Sequence, residues 1–242
     1  MGEDKKNEIA VLMAAGLGSR MRPLTENMPK PLIAVHGVPM IETVIKALKK
    51  RGISGIYVVT GYLGEQFAYL EEKYPGLKTV ENKYYETVNN ISSVYAVCDI
   101  LAAAEGGCFI CEADLYISDP AVLSYEPESS CYFAKYVEGH SDDWVFDLDD
   151  EGFITRVGKC GDDAFNMEGI SYFTNKDIRL LAELVREAYG KEGYEELFWD
   201  EVVDANLDRL RLRVHETGRE QIVEIDTPEE LAAVAPEWRK RI

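Results

Sequence analysis

Apolar and polar residues alternate in blocks along this chain, and the period of the pattern changes from block to block. Ile9 to Met13 is a short unbroken apolar run, which predicts a buried strand. From Pro39 to Lys50 the apolar residues Ile41, Val44, Ile45 and Leu48 recur at the spacing of one helix face. Gly55 to Thr60 reads as a second strand, Gly64 to Tyr74 as a second helix, and Thr79-Val80 as the start of a short third strand. A helix over Ser92 to Ala104 leads into another strand at Gly107 to Cys111. Strands and helices taken in turn predict a parallel sheet covered on both faces, with ligands gathered at the carboxyl ends of its strands.

The second half changes character. Cys131 to Val137, Asp143 to Leu148, Phe153 to Val157 and Glu168 to Phe173 read as strands joined by acidic or glycine turns. Helices are expected at Asp177 to Tyr189 and Leu197 to Ala205, strands at Leu210 to His215 and Ile222 to Ile225, and a last helix from Pro228. No repeat, low-complexity tract or linker divides the chain. The expectation is a single α/β domain over residues 9–242, built on a mixed, mainly parallel sheet flanked by helices. Residues 1–8 are polar without an apolar core, and are expected to be a flexible lead-in and not a signal peptide.

Composition narrows the possible functions. The 242 residues are 46% hydrophobic and 29% charged, ordinary for a globular protein, but 44 acidic against 26 basic residues give a net charge of −18. Such a surface opposes binding to nucleic acid or to anionic membranes. No apolar run approaches the length of a membrane span. Five cysteines form no disulfide framework, which suits a reducing cytoplasm. Cys108 and Cys111 have a metal-like spacing, but on a strand residues three apart face opposite ways, which argues against a shared metal or redox role.

The chemistry is concentrated near the start. Leu12-Met13-Ala14-Ala15-Gly16-Leu17-Gly18-Ser19-Arg20-Met21-Arg22-Pro23-Leu24-Thr25 places a small-residue, glycine-bearing turn directly after a strand, and Pro29-Lys30-Pro31-Leu32 follows. Backbone N–H groups in such a turn can cradle phosphates, with Leu12, Ala14, Ala15, Gly16, Gly18, Ser19 and Arg20 as candidate nucleotide contacts. Arg20 and Lys30 would supply positive charge to a reacting triphosphate. Prolines on both sides of Lys30 are expected to hold its backbone extended. Arg22 reads equally well as a surface ion-pair partner. The spacing matches neither a P-loop nor a dinucleotide fingerprint.

A divalent cation bridging phosphates needs hard oxygen ligands. Asp114, just past the strand Gly107 to Cys111, is one candidate, with Glu112 sharing its face as an alternative. Asp226 is the second. It precedes a helix start in which Thr227 and Glu230 form a capping box, leaving the Asp226 carboxylate free. For the acceptor, Trp144 and Trp199 offer aromatic faces to a cationic group, with Glu168 or Asp200 adding negative charge; packing within the core is the even alternative for both tryptophans.

The N-terminal string resembles the signature of nucleotidyltransferases that join NTPs to phosphorylated sugars and alcohols. Gly61-Tyr62-Leu63-Gly64-Glu65-Gln66-Phe67, Asn89-Asn90, Glu112-Ala113-Asp114, Trp144, Phe198-Trp199-Asp200 and Glu224-Ile225-Asp226 extend the likeness over nearly the whole length, and this pattern is similar to the LicC-type CTP:phosphocholine cytidylyltransferases. The resemblance implies a Rossmann-like nucleotidyltransferase fold, with residues 9–114 binding nucleotide and 115–242 shaping the acceptor pocket. It implies that Lys30 contacts the phosphates and that Asp114 and Asp226 hold Mg2+. Asn89 and Asn90 would lie near the base, and Trp144 with acidic neighbours would line a choline pocket. CTP and phosphocholine are the implied partners. Leu115 departs from the pattern, where asparagine is more typical. Rival acceptors are 2-aminoethylphosphonate, phosphoethanolamine and a sugar 1-phosphate; a primary amine would prefer carboxylates to an aromatic box. A non-catalytic nucleotide-sensing module is the rival of another class.

Overall fold

In chain order the elements are β1 (Ile9–Ala14), β2 (Ala34–Val35), β3 (Val38–Pro39), α1 (Met40–Arg51), β4 (Gly55–Thr60), α2 (Tyr69–Lys73), β5 (Leu77–Glu81), α3 (Ile91–Ala96), α4 (Cys98–Ala102) and β6 (Cys108–Glu112). They continue with β7 (Leu115–Ile117), β8 (Cys131–Leu148), β9 (Ile154–Phe173), α5 (Asn175–Ala188), α6 (Trp199–Asp204), β10 (Arg213–Glu216), β11 (Ile222–Glu224) and α7 (Pro228–Val234). This computed structural model describes residues 7–218 and 220–240.

Seven strands form one sheet in the order β10-β8-β9-β6-β1-β4-β5. β1 is parallel to both β4 and β6, and β4 to β5, so the first half is the parallel, helix-covered sheet its pattern predicts. β9 joins antiparallel to β6, giving the mixed sheet. Successive side chains of a strand leave on opposite faces, and both faces here are buried. Val11, Cys108 and Ile110 pack on the side of α3, α4, α5 and α6, while Ala10, Leu12, Phe109 and Cys111 pack on the side of α1. Cys108 and Cys111 therefore lie in different cores, and burial pushes both thiols far above the ordinary cysteine range.

Several expected elements differ. The helix over Ser92 to Ala104 is two, because Val97 leaves helical geometry at φ −110°, ψ 6°. Gly64 to Tyr74 is a 3-10 turn, Gly64–Phe67, followed by the short α2. The four short strands after Cys131 are two long ones, β8 and β9, paired as one hairpin around residues 149–153. Register shifts between Val137/His140 and Ser141/Trp144 let this hairpin bend, so that Val145 and Phe146 pair with Gly158 and Val157 and also with Asn166 and Phe165 further along β9.

β7 has no counterpart in the sequence reading. It pairs antiparallel with β11, Leu115 opposite Glu224 and Ile117 opposite Ile222. A third small core of Met21, Ile33, Val35, Met40, Ile225 and Leu231 packs the residues after β1 against β11 and α7. At the other end of β1, Glu8 belongs to the fold and not to a lead-in. It is 7% exposed and accepts from Arg51 Nε at 2.8 Å and from Tyr172 Oη at 3.2 Å. Residues 1–6 of the expected lead-in lie outside the described residues.

Candidate active site

β1 ends at Ala14, and the chain turns over residues 15–18 at the carboxyl edge of the sheet. Gly18 takes φ 60°, and a Cβ there would fall 2.9 Å from Lys30 Cβ and 3.1 Å from Thr25 Cγ2. Only glycine lets the turn sit this close to the lysine segment. Thr25 Oγ1 donates to the Gly18 carbonyl at 2.8 Å, and Tyr62 N–H to the Ala15 carbonyl at 3.1 Å, which fixes the turn from both sides. Gly16 faces open space.

Lys30 begins a 3-10 turn, Lys30–Leu32, so its backbone is not extended as the flanking prolines suggested. Leu32 N–H donates to the Pro29 carbonyl and Ile33 N–H to the Lys30 carbonyl, bonds that Pro31 does not disturb because its missing N–H lies between them. The side chain is buried, and Nζ lies 2.6 Å from both Asp114 Oδ2 and Asp226 Oδ1. Burial alone would lower the ammonium's pKa, but the bonds to and charges of the two aspartates outweigh it and hold it above the ordinary lysine range. Arg20, with its side chain 71% exposed, reaches the same Asp226 oxygen at 2.8 Å.

Pairing of β7 with β11 sets Glu112 and Asp114 beside Glu224 and Asp226. Carboxylate oxygens of Glu112, Asp114 and Glu224 lie within 4.8 Å of one another. Burial first, and then the charge of Asp114, pushes Glu112 and Glu224 well above the ordinary carboxylate range. The capping box of Thr227 and Glu230 is formed as the sequence indicates, and the Asp226 carboxylate is free of it.

These groups line one end of a cleft of ≈ 980 Å³. The bent β8–β9 hairpin forms the opposite wall with Lys135, Asp142, Asp143, Trp144, Lys159, Asn166 and Glu168. Trp144 meets Phe198 edge to face, ring centroids 5.3 Å apart. Glu168 is 3% exposed; one oxygen accepts from the Thr217 hydroxyl, and Oε1 has no partner. Burial pushes its pKa up, against the Thr217 bond and the charge of Lys135. The Asn166 amide nitrogen donates to Ser141 Oγ at 2.6 Å and to Asp143 Oδ2 at 3.3 Å, leaving its buried Oδ1 without a partner.

Of the sequence candidates, Ala14, Ala15, Gly16, Gly18, Ser19, Arg20, Lys30, Asn90, Asp114, Trp144, Glu168 and Asp226 all line this cleft. Leu12 does not; it is a fully buried core residue. Asn89 is bound to the segment before α6, its N–H donating to the Glu195 carbonyl and its amide nitrogen to that of Glu196. Asn90 lines the cleft while its Oδ1 accepts from Trp199 N–H at 2.9 Å. Trp199 and Asp200 are corrections. Trp199 is 3% exposed and stacks on Tyr132, and Asp200 is equally buried and accepts from Tyr132 Oη at 3.0 Å. The start of α6 turns these two inward and leaves Phe198 at the cleft.

Asn166 and Lys159 were not singled out from sequence, and Glu224 and Phe198 were quoted only within longer motifs, with no role of their own. Glu-x-Asp occurs both at Glu112–Asp114 and at Glu224–Asp226, a repetition that could have exposed Glu224. Asn166 is two residues before Glu168 and shares its strand face. A shallower hollow of ≈ 540 Å³ at the opposite end of the strands has Glu8, Asp99 and Glu105, and no lysine or arginine, among the described residues that line it.

Residues 10–130 match the family described as the MobA-like NTP transferase domain. A 2-aminoethylphosphonate cytidylyltransferase of Lancefieldella rimae is 52% identical over 232 residues, 96% of this chain and 94% of that protein. A choline-phosphate cytidylyltransferase of Streptococcus pneumoniae is 34% identical over 218 residues, 90% of this chain and 93% of its own length. The solved structure of CTP:phosphocholine cytidylyltransferase (LicC) from Streptococcus pneumoniae superposes with a TM-score of 0.86 at 31% identity, covering 96% of this chain and all of that one.

Proposed function

The chain belongs to the MobA-like NTP transferase family, and from that premise we propose that it transfers a cytidylyl group from CTP to 2-aminoethylphosphonate. In the proposed reaction a phosphonate oxygen attacks the α-phosphorus of CTP. The bond from that phosphorus to the bridging oxygen breaks, pyrophosphate leaves, and CMP is joined to the aminophosphonate. No covalent intermediate with the protein is needed. The turn of residues 15–20 grips the triphosphate through its N–H groups, and Arg20 and Lys30 neutralise charge as the α-phosphorus is attacked.

One observation carries the choice of acceptor. Glu168 Oε1 and Asn166 Oδ1 are buried acceptors without donors, on two residues that line the cleft. A primary ammonium brings N–H donors to such oxygens, whereas a trimethylammonium has none. The phosphocholine implied by the LicC resemblance is therefore the weaker reading. The relative at 52% identity, named for 2-aminoethylphosphonate, supports the same choice over the one at 34% named for choline phosphate.

Magnesium suits the acid cluster. Glu112, Asp114 and Glu224 present hard oxygen ligands within 4.8 Å of one another, and their mutual repulsion is what a divalent cation would relieve. Asp226 would join them once Lys30 turns to the phosphates. Bound there, the ion would neutralise phosphate charge.

The test crosses four NTPs with 2-aminoethylphosphonate, phosphoethanolamine, phosphocholine and a sugar 1-phosphate, reading pyrophosphate. Highest kcat/KM for CTP with 2-aminoethylphosphonate is expected. Preference for phosphocholine would overturn the acceptor, and no release with any pair would favour a nucleotide-sensing module.

A further inference from the structure

Lys159 lies across the hairpin ladder from Trp144. Its Nζ is 4.7 Å from the centroid of the Phe198 ring and 5.5 Å from that of Trp144. Among the described residues no carboxylate forms an ion pair with it, so the two rings are its electrostatic partners. The strand beneath it is tied down: Arg156 NH2 donates to the Cys160 carbonyl at 3.1 Å, and Arg156 Nε donates to Asp147 at 2.6 Å.

An aromatic corner in an acceptor cleft is the feature that receives a quaternary ammonium. In this protein the corner already holds a cation, supplied by the chain itself. We infer that Lys159 is a specificity-determining residue, a built-in filter whose ammonium fills the Trp144–Phe198 corner and turns away trimethylammonium acceptors. The inference rests on the reading above that the acceptor's amine is primary.

The physical reason is a difference in what the two head groups can use. A trimethylammonium makes no hydrogen bonds, so at Glu168 and Asn166 it keeps only a Coulomb attraction and depends on the rings for the rest. To reach them it must displace Lys159, or sit beside a like charge at close range. A primary ammonium bonds to Glu168 and Asn166 and has no need of the corner.

The test compares the wild type with Lys159→Ala, which empties the corner, and Lys159→Arg, which keeps a cation there. Two readouts are taken: kcat/KM by pyrophosphate release with CTP and either acceptor, and quenching of tryptophan fluorescence by phosphocholine alone. Lys159→Ala should raise kcat/KM for phosphocholine about tenfold, the scale of a cation–π contact, and bring quenching to lower phosphocholine concentration. Lys159→Arg should resemble the wild type, and kcat/KM for 2-aminoethylphosphonate should change less than about twofold in Lys159→Ala, since that head group leaves the corner alone. The inference is overturned if Lys159→Ala gains nothing with phosphocholine, if the wild type already uses both acceptors equally, or if 2-aminoethylphosphonate activity collapses, which would make Lys159 a phosphonate ligand. Absence of pyrophosphate release from every variant would sink the proposed reaction, and the fluorescence titration would still decide the filter.

Discussion

The ammonium of Lys30 lies 2.6 Å from Oδ1 of Asp226, although 196 positions separate the two residues in the chain. Asp114 Oδ2 is equally close to it on the other side. The lysine thus bridges two carboxylates and balances their charge. Pairing of β7 with β11 makes this meeting possible, and the small core around Ile33 and Ile225 holds it.

Lys30→Ala should lower kcat by about 10²–10³, the usual cost of losing one charged donor at a reacting centre. KM for the acceptor should move little. Steady-state kinetics with CTP in excess checks this, and an unchanged kcat would remove Lys30 from the chemistry.

Glu168→Gln should raise KM for 2-aminoethylphosphonate by tenfold or more, since a buried charge-assisted bond is worth about 1.5–3 kcal/mol. Only the ionised carboxylate attracts the ammonium strongly, and burial raises its pKa. The acceptor KM should therefore begin to rise, as pH falls, above the range of an ordinary glutamate, and the Gln variant should lack that limb. A pH series of KM measures it.

Trp199→Ala should cost stability and not acceptor affinity. The ring packs against Tyr132 and Phe173 in the core, where such truncations cost about 3–5 kcal/mol. Trp144→Ala should spare stability, because Trp144 lines the cleft, and should raise KM for phosphocholine while leaving that for 2-aminoethylphosphonate nearly unchanged. Urea unfolding and acceptor KM, taken together for both variants, separate the roles.

Asp200 is buried beside Tyr132, and burial pushes its carboxyl up to about 7. The folded state keeps a proton that the unfolded chain releases near 4, so the linked stability is present below that value and lost as pH rises through about 7. Asp200→Asn should remove this loss, its unfolding free energy exceeding that of the wild type at about pH 9 by roughly 2–4 kcal/mol and by far less at about pH 5. Equal gaps at both pH values would contradict it.

The parallel half of the fold was legible because its strands and helices carry clean periods: Val11 and Leu12 go to opposite cores, and Ile41, Val44 and Ile45 to one. The turn after β1 was legible because glycine at position 18 answers a local backbone demand. β7 was hidden, since three residues after an acidic turn carry no period and their partner strand lies over a hundred positions away. The hairpin bend was hidden for a similar reason: bulges break the alternation of β8 and β9, and only pairing reveals that Trp144, Lys159, Asn166 and Glu168 line one wall. Trp199 misled because a short helix start gives no clear phase, so which of Phe198 and Trp199 faces the cleft is decided by the core around Tyr132.

The most direct measurement follows phosphorus itself. The protein is incubated with CTP, magnesium and 2-aminoethylphosphonate and monitored by 31P NMR. The phosphonate resonance should move upfield and couple to a new α-phosphate, while pyrophosphate appears in equal amount. An unchanged phosphonate signal, with CTP intact or merely hydrolysed, would contradict the account.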